Sequence, residues 1–134
     1  MKPTKLFTPQ EANRTLPLVR RIVSDINKSG KELQLRAKSE TIGEESAEFQ
    51  QRVRQMEKLI EELEGLGCYY KDWNFDIGLV DFPSILDGEH VLLCWRSDEP
   101  EVAFYHSYET GYPGRQRIPD CYLQSKGLLA QHGG

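Results

Sequence analysis

LVDFPSILDGEHVLLCWRSDEPEVAFYHS, running from Leu79 to Ser107, is the stretch that decides the fold. Branched, aromatic and leucine side chains between turn residues predict three strands, Leu79–Leu86, Glu89–Arg96 and Glu101–Ser107. Asp87-Gly88 is a two-residue hairpin turn, because a type I′ turn needs positive φ at both central positions. Ser97-Asp98-Glu99-Pro100 makes the second turn. These turns set the register. Phe82 then faces Leu93, Val80 faces Trp95 and Asp81 faces Cys94. Across the second hairpin Trp95 faces Val102, Leu93 faces Phe104 and Val91 faces His106. One sheet face collects Val80, Phe82, Leu93, Trp95, Val102 and Phe104, a core face. The other collects Leu79, Asp81, Leu92, Cys94, Arg96, Glu101, Ala103 and Tyr105. It is too apolar to stand bare and too charged to be plain core. Its expected covers are the C-terminal tail, the Cys68–Ile77 connector or another subunit. Pro83 has no N–H to donate, so the first strand is an edge there.

Upstream, the pattern is helical. Thr8-Pro9-Gln10-Glu11 is a helix start with a capping box. Ala12, Leu16, Val19, Val23, Ile26, Gly30, Leu33 and Ala37 then follow at steps of three and four, one continuous seam. Pro17 should kink or restart that helix. Ser39 to Ser46 is the connection. A second seam runs Phe49, Val53, Met56, Ile60, Leu63, and Gly65 and Gly67 stop it. Folded back, the seams place Leu33 by Val53, Ile26 by Ile60, Val23 by Leu63 and Gly30 opposite Met56. The expected fold class is α+β: a long antiparallel helical hairpin packed on a small three-stranded antiparallel sheet.

Length and composition agree with one domain. The chain has 134 residues, 38% hydrophobic and 28% charged, which is globular rather than disordered. The hairpin takes about 8–66, the sheet region about 67–118 and a weakly patterned tail about 119–134. No apolar run is long enough for a membrane span or signal peptide, so a cytoplasmic protein without membrane association is expected. Cys68, Cys94 and Cys121 lack the spacing of a disulfide framework or zinc knuckle. The net charge of −4 hides an asymmetry: residues 1–38 hold nine Lys/Arg against three Asp/Glu, and residues 39–66 three against eight. Arg14, Arg20, Arg21, Lys28, Lys31, Arg36 and Lys38 make the first helix basic. An acidic second arm beside it cancels much of that field, so no nucleic-acid partner is expected.

Several segments together resemble a known family: Phe7-Thr8-Pro9-Gln10-Glu11-Ala12-Asn13, Gly67-Cys68, Gly78-Leu79-Val80-Asp81-Phe82-Pro83, Leu93-Cys94-Trp95-Arg96 and Gly114-Arg115-Gln116. They resemble the prokaryotic family catalogued as domain of unknown function 2203, over residues 6 to about 118. The resemblance implies a stand-alone small bacterial protein and supplies no activity, cofactor or site residue.

The chemistry must therefore come from the residues. Cys68, Cys94, His106 and Asp81 are metal-ligand types. The expected register puts Cys94 and His106 on opposite sheet faces, so buried thiols and a hydrogen-bonded histidine are expected instead of a metal. Asp72, Asn74 and Asp76 alternate as calcium-loop ligands do, but the glycine falls one residue late and Pro83 stands where the closing glutamate belongs, so a turn is expected. The loop Gly111-Tyr112-Pro113-Gly114-Arg115-Gln116-Arg117 is flexible, aromatic and basic. Arg115, Arg117, Arg96 and Asp81 are candidates for an anion site, and His106, Glu99 and Glu109 for acid–base chemistry. The competing reading is that Arg115 and Arg117 pair with local acids and pin the loop. No cofactor motif is present.

Two functions remain at this level. The first is a non-enzymatic interaction module, a homodimer held through the helices, because Leu18, Ile22, Leu35, Leu59 and Leu66 lie off the main seam and would form an exposed apolar stripe. The alternative is a small anionic-ligand-binding protein or enzyme with its site around His106 and Arg115.

Overall fold

A computed structural model describes residues 5–38 and 46–123. Helix α1 spans Pro9–Lys38 and helix α2 spans Ala47–Gly65. The capping box forms as expected: the Glu11 N–H donates to Thr8 Oγ1 at 3.1 Å, and the Thr8 N–H donates to Glu11 Oε1 at 2.9 Å. That backbone bond holds the Glu11 carboxyl below its ordinary pKa. α1 runs through Pro17 without a break, so there is no restart. Ser46 caps α2 through the Phe49 N–H at 3.0 Å. Beyond Gly65, Gly67 takes φ 101° and turns the chain toward the sheet.

The sheet has five strands rather than three. β1 is Tyr69–Tyr70, β2 Leu79–Leu86, β3 Glu89–Arg96, β4 Phe104–His106 and β5 Gln116–Arg117. They lie side by side in chain order, each antiparallel to its neighbour. The two strands missed are two residues long, too short for any alternation to show. The Asp87-Gly88 turn forms with φ 53° and 79°, and the first hairpin has the expected register, with Val80 opposite Trp95, Asp81 opposite Cys94 and Phe82 opposite Leu93. At Pro83 β1 has ended, and the Phe7 N–H donates to the Pro83 carbonyl at 2.7 Å, covering that edge.

The second hairpin is displaced by one residue from the expected register. Leu92 pairs with His106, Leu93 with Tyr105 and Cys94 with Phe104. The cause is that Glu101, Val102 and Ala103 do not join the β3 ladder. The side-chain amide of Asn13 occupies both backbone groups of Val102: Val102 N–H donates to Asn13 Oδ1 at 2.7 Å, and Asn13 Nδ2 donates to the Val102 carbonyl at 3.1 Å. The Ala103 carbonyl accepts from the Ile118 N–H at 2.8 Å. Because side chains alternate, a one-residue slip exchanges the faces of the whole strand. Phe104 leaves the expected core face, and Tyr105 packs against the core in its place.

The rest of the expected core face holds. Val80, Phe82, Leu93, Trp95 and Val102 are buried with Val19, Val23 and Ile26 of α1 and Leu63 of α2. Ala37, placed in the seam, is exposed. α1 and α2 form a hairpin only in part. Ion pairs Arg36–Glu48 at 2.9 Å and Arg52–Glu32 at 2.8 Å tie the last turns of α1 to the start of α2. The first half of α1 serves the sheet side instead: Asn13 bonds Val102, and Arg20 donates to the Glu99 and Pro100 carbonyls. Gly30 does not face Met56. A Cβ there would lie 2.2 Å from the Phe75 ring, so Gly30 makes room for the aromatic group of Phe75, Tyr70 and Trp73. The apolar stripe invoked for dimerisation is mostly consumed internally. Ile22 is buried, and Leu59 and Leu66 pack against the core, leaving Leu18 and Leu35 exposed.

Beyond β5 the chain passes Ile118 and enters the tail expected at about 119–134. Ile118 is fully buried, and α3, Asp120–Leu123, brings Tyr122 and Leu123 against the core. Leu128 and Leu129 lie outside the described residues.

Candidate functional site

The displaced register brings His106 to the sheet face where Asp81 and Cys94 were already expected together. Asp81 on β2, Cys94 on β3 and His106 on β4 point to the sheet face away from the helices, and their donor atoms all lie within 4.8 Å of one another. Asp81 and Cys94 are cross-strand partners, and His106 sits opposite Leu92, next to Cys94 on the same face. All three are buried. His106 Nε2 is 3.2 Å from Asp81 Oδ1, and Nδ1 is 2.9 Å from the Ser107 carbonyl. A carbonyl only accepts, so Nδ1 carries a proton. Nε2 and the Asp81 carboxyl then hold one further proton between them. The hydrogen bond to Asp81 outweighs the opposing effect of burial and raises the His106 pKa above its ordinary value. Burial, followed by the Asp81 charge, pushes the Cys94 thiol up to about 12. Cys94 is therefore a neutral thiol here, not a free thiolate nucleophile.

The loop after β4 covers this face, which answers what shields it. Tyr112–Gly114 forms a single 3-10 turn and Arg115 reaches back over the sheet. The Arg115 guanidinium donates to both oxygens of Glu99, at 2.9 and 2.8 Å, and to the Cys94 carbonyl at 3.0 Å. It also lies over the rings of Phe104, 4.2 Å from the centroid, and Tyr112, 5.1 Å away. Glu99 in turn accepts from the Arg96 N–H at 2.8 Å. The Arg115–Glu99 ion pair thus ties this loop to the β3–β4 connection. Arg96 donates to the Tyr112 hydroxyl at 2.7 Å and to Asp98 at 2.9 Å. Arg117 and Glu109 are exposed, and Arg117 lies 3.8 Å from Asp120.

Between the loop and the sheet lies a cleft of about 250 Å³. Asp81, His106, Leu79 and Leu92 line it from the sheet, and Lys71, Tyr108, Gly111 and Tyr112 line it from the adjoining segments. Burial, with the charges of Tyr69 and Asp81, raises the Tyr108 pKa. The remaining candidates lie elsewhere. Cys68 is in the helix-side core, its thiol donating to the Leu63 carbonyl and pushed up to about 12 by burial. Asp72 turns its carboxylate inward to accept from the N–H groups of Asn74, Asp76 and Ile77, and Asp76 pairs with Lys31. These bonds make the segment a capped turn.

The model of one protein family matches residues 5–118. The chain belongs to DUF2203, an uncharacterised conserved protein family. No curated protein and no solved structure matches the chain. The DUF2203 match includes Asp81, Cys94, His106 and every residue lining the cleft, and leaves out α3. Its first segment includes Asn13, whose amide sets the register that assembles the DUF2203 chain's buried cluster. Sequence reasoning assigned Asn13, Lys71 and Tyr108 no role. Nothing local marks Asn13, because its partner is 89 residues away. Lys71 and Tyr108 flank β1 and β4, and only the pairing of those strands brings them to one cleft.

Proposed function

We propose that the protein binds a small oxyanion, a carboxylate or a phosphate, in the cleft above the Asp81–His106 pair. The observation that carries this reading is the donor character of the lining. The Lys71 ammonium and the Tyr108 hydroxyl have no hydrogen-bond partner among the described residues, and both border the same space. Tyr112 already accepts from Arg96, so its own proton is left to donate elsewhere. Donors that converge on a partly enclosed space suit an acceptor-rich, negatively charged ligand. The space equals roughly eight water volumes, which limits the ligand to a small metabolite-sized ion. The site lies around His106, with Lys71 in the charge-bearing role first considered for Arg115. The homodimeric interaction module keeps less support, because its apolar stripe is reduced to Leu18 and Leu35.

Calorimetric titration of the full chain with inorganic phosphate and with succinate tests the proposal. One of the two is expected to bind with one-to-one stoichiometry. Lys71→Ala should weaken that binding about tenfold, the scale of one charge-assisted hydrogen bond. Arg117→Ala, outside the cleft, should leave it unchanged. Absence of binding by either anion, or equal loss in the two variants, overturns the proposal.

A further inference from the structure

We infer that Asp81, Cys94 and His106 form a binding site for one divalent transition-metal ion of the zinc type. This inference is independent of the oxyanion reading, because it rests on the floor of the cleft and not on its lining donors. Carboxylate, thiolate and imidazole are each zinc ligands, and their combination is poorly suited to magnesium or calcium, which take oxygen. The three donor atoms already lie within 4.8 Å of one another. They come from three neighbouring strands, so the ladder holds their spacing.

Three further features favour an ion over simple packing. The first is charge. A carboxylate and a thiolate carry two negative charges, and the imidazole carries none when it ligates. A dication balances both of those charges, so exchanging two protons for the ion leaves no net charge buried. The second is orientation. The Nδ1–H of His106 donates to the Ser107 carbonyl at 2.9 Å, leaving Nε2 directed at Asp81. Metal-bound histidines are held in this way by their second ring nitrogen. The third is access. Asp81 and His106 both border the cleft, so an ion has a route in and three protein ligands leave a position open toward that space.

The exchange balances without any other reactant. The proton shared by His106 Nε2 and Asp81 leaves, and so does the thiol proton of Cys94. The ion takes their place through bonds to nitrogen, oxygen and sulfur. Two protons are released for each ion bound, and affinity therefore rises with pH.

The test uses the full-length chain, stripped of metal by a chelator, in phosphate-free buffer. Cys121→Ser serves as background, because Cys121 is exposed and would contribute an adventitious thiol. Cobalt(II) is the probe. One equivalent should produce a thiolate-to-cobalt charge-transfer band, and one equivalent of zinc should abolish it. Cys94→Ser should remove the band, and Asp81→Asn should weaken cobalt binding by about a hundredfold, at the upper end of what a merely supporting residue costs. Histidine-nitrogen magnetic resonance on the unsubstituted chain covers the case in which these variants fail to fold. Zinc should move the Nε2 signal of His106, with little change at His90 and His132. No band, a band that survives Cys94→Ser in folded protein, or a zinc response confined to the other histidines overturns the inference.

Discussion

The β2–β3 hairpin pairs eight residues across a two-residue turn, whereas β3–β4 pairs three residues across the seven residues Ser97–Ala103. In the first, Asp87 and Gly88 reverse the chain so tightly that only one register closes. In the second, the connection is long enough to accept more than one. The choice falls to contacts from outside the hairpin. From α1, Asn13 takes both backbone groups of Val102, and Arg20 donates to the Glu99 and Pro100 carbonyls. The lesson is that a short turn carries its register locally, and a long one borrows it. In this protein the borrowed register is also the one that assembles the candidate site.

The largest expected effect breaks the hairpin whose register is local. Phe82 is fully buried and meets Phe7 edge to face, with centroids 5.2 Å apart. Phe82→Ala should destabilise the fold by about 3–5 kcal/mol, read from urea unfolding. A loss under about 1 kcal/mol would mean that this face is not the core. The next effect is aimed at the borrowed register. Asn13→Ala leaves the N–H and C=O of Val102 without partners and should cost about 2 kcal/mol. It should also speed hydrogen exchange at Val102 and weaken the contact between His106 and Asp81. Unchanged exchange at Val102 would show that the β3–β4 ladder chooses its own register. The smallest effect is a pH dependence in metal-free protein. The His106 pKa is raised in the fold above its ordinary 6.5, mainly by its hydrogen bond to Asp81. The unfolded chain sheds that proton first as pH rises. The stability it contributes is complete below about 6.5 and is lost as pH climbs through the folded-state value. His106→Gln should flatten that part of the stability profile. An identical profile in the variant would remove His106 as its source.

Much of the architecture is written locally. The Thr8–Glu11 capping box, the α1 seam from Ala12 to Leu33 and the Asp87-Gly88 turn each depend on residues a few positions apart. Local geometry suffices for these, because helical period and turn φ are properties of short segments. Membership in DUF2203 was legible in the same way, from short segments such as Gly78 to Pro83. The candidate ligands Asp81, Cys94 and His106 were legible as residue types, but not as a group. Their meeting depends on a slip of one residue, and alternation makes the face of a side chain a yes-or-no consequence of that slip. Asn13 decides it from the other end of the chain, and its contact with Val102 exists only once α1 lies on the sheet. Likewise Arg115 meets Glu99 across the fold, just before the point where β5 pairs with β4. The sequence by itself determined the helices, the first hairpin and the chemistry available. Tertiary packing decided which of those groups share a face, because that choice rests on contacts between distant segments that carry no local periodic signal.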